Sequence, residues 1–135
     1  MTADEFATEV RIAAAPEVVF PYLTDPALMV RWMGERADLA PAPGGTFAVD
    51  IQGNPVRGEF VAVEPPHRLV FTWGMAGSDV PPGSSTVEIT LRPDGTVVAL
   101  VHRDLPPEQV ADHGAGWDFY LPRLAAVALT PARGR

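Results

Sequence analysis

Residues 86–129 read TVEITLRPDGTVVALVHRDLPPEQVADHGAGWDFYLPRLAAVAL, and this stretch decides the fold. Val87, Ile89 and Leu91 alternate with Thr86, Glu88 and Thr90. After Pro93-Asp94-Gly95, Val98, Leu100 and His102 alternate with Val97, Ala99 and Val101. A period of two marks strands with one wet face, and Pro-Asp-Gly between two such runs signals a hairpin. The period then changes. From Pro106-Pro107-Glu108 onward, Val110, Gly114, Trp117, Leu121, Leu124 and Ala128 recur at three- and four-residue steps, one apolar face of a helix. At about 1.5 Å per residue, a helix from Pro107 to Leu129 would be roughly 35 Å long. A strand of about eight residues at ~3.3 Å each is shorter than that. The spacing therefore predicts a helix long enough to cross a sheet. Gly114 and Gly116 lie in its first half, where missing side chains let a helix approach a sheet or leave room for a ligand. Pro122 lacks a backbone donor and predicts a bend or bulge near Asp118.

Upstream, Phe6, Thr8, Val10 and Ile12 share one face of a strand. Pro16 opens a short helix to about Leu23, made irregular by Pro21. Asp25 can cap a second short helix with Pro26 at its first position; it carries Leu28, Met29, Trp32 and Met33. Pro41–Gly45 reads as a loop. Strands follow at Thr46–Ile51, Val56–Glu64 and Arg68–Trp73, divided by turns at Gly53-Asn54 and Pro65-Pro66-His67, and Gly74–Ser84 is a looser loop. Short connections between successive strands imply antiparallel pairing.

Composition bounds the function. The 135 residues suit one domain, 1–135, with tails at 1–4 and 131–135. Net charge is −7, and the ten arginines are dispersed, with no lysine. Nucleic acid or an anionic membrane surface demands a concentrated basic patch, so neither partner is expected. The lysine-free, Ala-, Pro- and Gly-rich composition reads as a GC-rich bacterial genome. There is no cysteine, which removes disulfides, thiolate nucleophiles and Cys-based metal sites. Met1–Val10 carries Asp4, Glu5 and Glu9 in place of a basic, then apolar, signal sequence. No apolar run approaches the ~20 residues of a membrane span. A cytoplasmic protein without cofactor is expected. Gly44-Gly45 is not a dinucleotide fingerprint, and no nucleophile elbow surrounds Ser84-Ser85.

The order of strand, short helices, antiparallel strands and one long helix resembles the START-like, or SRPBCC, helix-grip superfamily. The segments AAAPEVVFPYLTDPALMVRWM, PGGTF, VRGEFVAVEPPHRLVFTW, PPGSSTVEITLRPDGTVVALVHRDLP and HGAGWDFYLPRLAA narrow it. They are similar, from about Val10 to Ala126, to the branch of activators of the heat-shock protein 90 ATPase. The resemblance implies an α+β fold: a curved antiparallel sheet wrapped around a long C-terminal helix, with two short helices after the first strand. It also implies a cavity bordered by strand ends and the helix's inner face.

On that basis Trp32, Trp73, Met75, His102, Trp117, Tyr120 and Leu121 are the expected pocket residues, while Phe47 and Phe60 read as plain core. Pocket walls are mostly apolar with few polar groups. His102 is expected to be neutral and hydrogen-bonded rather than a general base, with Asp104 beyond its strand end. A metal site from His67, His102 and His113 lacks any ligand spacing. The leading expectation is a non-enzymatic binder of a small apolar or aromatic ligand. The rivals are a chaperone-contacting module, as the resemblance implies, and a cyclase- or hydrolase-like enzyme with His102 as base. Monomer and homodimer both stay open.

Overall fold

The computed structural model describes residues 4–129. Strand β1 (Phe6–Ile12) is followed by three one-turn helices, α1 (Pro16–Val19), α2 (Pro21–Thr24) and α3 (Pro26–Met29). Then come β2 (Arg36–Leu39), β3 (Thr46–Ile51), β4 (Asn54–Glu64), β5 (Arg68–Trp73), β6 (Ser85–Pro93) and β7 (Thr96–Arg103). A 3-10 turn (Pro107–Gln109) leads into α4 (Val110–Leu129). The strands form one curved sheet in the order β1-β7-β6-β5-β4-β3-β2, with every neighbouring pair antiparallel. Helix α4 lies across its inner face, as the helix-grip expectation required.

Its inward stripe is Gly114, Trp117, Leu121, Leu124 and Ala128, all buried. The two glycines act differently. A Cβ on Gly114 would stand 2.5 Å from the Phe6 ring, so its absence lets α4 settle on β1. A Cβ on Gly116 would meet nothing within 4 Å. The helix continues on both sides of Pro122. Asp118 and Pro122 are both exposed, so the carbonyl that Pro122 leaves without an amide partner lies on the solvent side.

Three details depart from the expectation. Pro21 divides the first short helix in two, because it offers no amide to continue α1 and instead opens α2. Asp25 does cap α3, its carboxylate accepting the Ala27 amide at 2.9 Å. Strand β2 is an addition: four residues, two of them charged, paired only with β3 from Arg36↔Asp50 to Leu39↔Phe47. Finally, β4 starts at Asn54 because Gln52 and Gly53, at φ 51° and 82°, close a two-residue hairpin.

Curvature has a local source. Residues 54–59 of β4 pair with β3, whereas Phe60 and Ala62–Glu64 pair with β5 across a register shift between Phe60 and Ala62. Such a bulge bends the strand and adds twist. Inside the bend, Phe47 stacks on Phe71 at 4.1 Å, and Phe60 meets Phe47 edge-on at 5.8 Å. These rings are core, as expected. On the outer face Glu88 accepts from Arg103 at 2.6 Å and Arg68 at 2.8 Å. Those bonds, Arg103's first, hold its carboxyl below the usual range. The expected tails lie outside the described residues except Asp4, whose carbonyl accepts the Leu105 amide at 3.0 Å.

Candidate functional site

A cavity of about 280 Å³ opens to solvent between α4, the hairpin end of β3 and β4, and the loop after β5. Helix α4 supplies His113, Gly116, Trp117 and Tyr120, a spacing of 0, 3, 4 and 7 that puts all four on one face. Ile51, Asn54 and Val56 come from the β3–β4 hairpin, and Met33 from the segment after α3. Trp73, Gly74, Met75, Ser78 and Val80 form the loop side, and Gln109 and Asp112 complete the wall. The loop is tied to itself: the Met75 amide donates to the Val80 carbonyl at 2.7 Å, and the single Ser78 hydroxyl proton is shared between the carbonyls of Met75 and Val80. Ser78 is thereby committed to shaping the loop.

Behind Trp73 and Trp117 lies a directional chain of hydrogen bonds. Trp117 Nε1–H donates to His102 Nδ1 at 3.0 Å. An indole nitrogen can only donate, so Nδ1 must be the bare nitrogen and the proton sits on Nε2. His102 Nε2–H then donates to Ser85 Oγ at 2.9 Å, and Ser85 Oγ–H donates to the Trp73 carbonyl at 2.8 Å. Every group in this buried chain is satisfied. His102 is fully buried, and burial, followed by repulsion from His113 whenever that ring is protonated, pushes its pKa down to about 3. It stays neutral, and both nitrogens are occupied. Its chemistry here is positional: it holds Trp117 and, through Ser85, the end of β5. The Trp73 and Trp117 rings lie 5.1 Å apart at 51°.

The cavity's other polar side chains are Asn54, Gln109, Asp112, His113 and Tyr120. His113 Nδ1 donates to the Gln109 carbonyl at 2.9 Å, which leaves Nε2 with no hydrogen bond among the described residues. Asp112 is exposed at the mouth. Among the described residues, no arginine lines the cavity.

The model of the family described as "Activator of Hsp90 ATPase homolog 1-like protein" matches residues 13–128. The chain belongs to that family. Solved structures agree with the assignment. Protein MLL2253 from Mesorhizobium loti is 27% identical with a TM-score of 0.83, over 96% of this chain and 99% of that one. The AHSA1-like protein RHE_CH02687 from Rhizobium etli is 42% identical with a TM-score of 0.73, over 97% and 89%. PFC0360w, an HSP90 activator from Plasmodium falciparum, shares the fold at 22% identity and a TM-score of 0.74, over 92% and 95%. No curated protein matches. Among the described residues, no helix is long and apolar enough to cross a membrane.

Within this AHSA1-like frame the seven expected pocket residues separate. Trp73, Met75, Trp117 and Tyr120 line the cavity. His102 stands one layer behind it. Trp32 and Leu121 lie outside, in the core: Trp32 Nε1 donates to the Tyr22 carbonyl at 2.8 Å, while the neighbouring Met33 lines the cavity. Leu121 is on the buried α4 stripe between Trp117 and Leu124 and does not line the cavity. Asp104, at φ 65° past the end of β7, makes no bond to His102. His67 sits exposed in the turn before β5, and only His102 and His113 approach each other, at 5.2 Å between rings. Sequence reasoning missed Met33, Ile51, Val56 and Val80 as wall. Val80 left one legible signal, a lone valine in a Gly-, Ser- and Pro-rich loop.

Proposed function

We propose that this protein binds a small, flat, apolar molecule of one or two aromatic rings between α4 and the loop after β5. The observation that carries the reading is the paired Trp73 and Trp117, the Trp117 indole N–H engaged behind its ring, with Met33, Met75, Val80 and Ile51 lining the same cavity. Apolar walls with a few polar groups at the edge are the usual form of a small-molecule site. A cavity of about 150 Å³ accepts a benzene ring, so 280 Å³ suits roughly twice that. What weighs against an enzyme working through His102 is that neither ring nitrogen is free to take a proton.

The test is a titration of tryptophan fluorescence with naphthalene, indole and biphenyl, beside the same titration of Gly116→Leu. Leucine at 116 is well tolerated in a helix and projects into the open space of the cavity. Saturable quenching in the parent and none in the folded variant supports the reading. Equal quenching in both, or none in either, overturns it.

Contact with an Hsp90-type chaperone is a second reading, supported by the family's description. Stimulation of such a chaperone's ATPase by the purified chain tests it, and no effect at excess removes it.

A further inference from the structure

Resting on the aromatic-binding reading, the cavity's polar groups specify the ligand further. We propose that the site selects an uncharged aromatic bearing a hydroxyl, and that His113 Nε2 accepts that hydroxyl's hydrogen bond.

A backbone carbonyl only accepts, so the 2.9 Å contact between His113 Nδ1 and the Gln109 carbonyl places a proton on Nδ1. In the neutral ring Nε2 then carries a lone pair. It has no partner among the described residues, and His113 borders the cavity. An acceptor of this kind asks for an O–H or N–H donor. His102, whose ring lies 5.2 Å away, cannot supply one, because Nδ1 accepts from Trp117 and its Nε2 proton goes to Ser85.

Charge narrows the class. Asp112 stands at the mouth next to His113, and among the described residues no arginine lines the cavity to neutralise an anion. The positive end of α4 is no substitute, since Asp112 already sits in its first turn. A carboxylate or phosphate on the ligand would therefore meet a like charge at Asp112, with only neutral donors such as the N–H groups of Asn54, Trp73 and Gln109. A phenolic hydroxyl would meet an acceptor. Tyr120, seven residues along the same face, is about 10 Å from His113 along the helix axis, which leaves the length of a two-ring compound between the two polar side chains.

The experiment compares naphthalene, 2-naphthol and 2-naphthoate near pH 7.5 by calorimetry. One net hydrogen bond corresponds to about a two- to twelvefold gain in affinity. We expect 2-naphthol to bind more tightly than naphthalene by that factor, and 2-naphthoate to bind at least about tenfold more weakly than 2-naphthol. In His113→Phe the naphthol preference should vanish while naphthalene still binds. Asp112→Asn changes an exposed side chain and leaves the fold intact; it should narrow the gap between 2-naphthol and 2-naphthoate. Naphthalene binding without a naphthol preference, a preference that survives His113→Phe, or naphthoate binding as tightly as naphthol each overturns this inference and leaves the aromatic-binding reading standing. If none of the three binds, both fall.

Discussion

Replacing His102 with leucine tests whether the hydrogen-bond chain behind the cavity holds its wall in place. Leucine fills much of the imidazole's space but offers nothing to Trp117 Nε1–H, which is buried with its residue at 3% exposure. A buried donor left unmade costs about 1–3 kcal/mol, and losing the bond to Ser85 removes about 0.5–1.5 kcal/mol more. We expect a total near 2–4 kcal/mol. With an unfolding entropy of about 2.1 cal/mol/K per residue, the 135-residue chain should lose roughly 7–14 °C in Tm. Calorimetric melting measures this directly. The decisive arm is the pair with Trp117→Phe. That substitution alone strands the His102 acceptor, while the double variant His102→Leu with Trp117→Phe removes donor and acceptor together. Its destabilisation should fall short of the summed single effects by about 1–3 kcal/mol. Additivity within about 0.5 kcal/mol would mean that the 3.0 Å contact carries no coupling, and the reasoning about the chain would be wrong.

Three further outcomes follow from the same geometry. Because the buried imidazole has its pKa pushed down to about 3 from an ordinary 6.5, the unfolded chain takes up a proton there that the folded chain refuses. His102 therefore contributes full stability above pH 6.5 and loses it as pH falls toward 3, by about 1.4 kcal/mol per pH unit; denaturant melts at pH 6 and 4.5 should show a shallower pH slope in His102→Leu than in the parent. Gly116→Ala should stabilise by up to about 1 kcal/mol through helix propensity, whereas Gly114→Ala meets the Phe6 ring at 2.5 Å and should destabilise by about 1–3 kcal/mol; matching signs in thermal melts would contradict the two roles. Trp32→Phe leaves the buried Tyr22 carbonyl without its 2.8 Å donor and should lower stability by about 1–3 kcal/mol, with ligand affinity unchanged. A large loss of affinity would return Trp32 to the site.

The strands that alternate over six or more residues were legible because one buried face imposes a period of two. The same holds for α4, whose stripe from Gly114 to Ala128 is the set that ends up buried. Strand β2 was illegible: four residues, exposed at Arg36 and Asp38, carry too little pattern, and the strand exists because β3 offers it an open edge. The cavity was half legible. Trp73, Met75, Trp117 and Tyr120 were readable as large side chains at element ends or on the helix face. Trp32 and Leu121 met the same criterion and went to the core, since size and hydrophobicity do not say which way a side chain turns.

By itself, then, the sequence determined the element types, their antiparallel order and the family, because periodicity and turn chemistry are local. It also offered two reasons for a missing side chain at Gly114 and Gly116, close approach to the sheet or room for a ligand. Which reason belongs to which glycine was decided by tertiary structure alone: Phe6 of β1 occupies one position and the cavity opens at the other. The protonation pattern of His102 was decided the same way. Its nearest donor and acceptor, Trp117 and Ser85, lie 15 and 17 residues away along the chain, and only the closing of α4 over the sheet brings all three within hydrogen-bond reach.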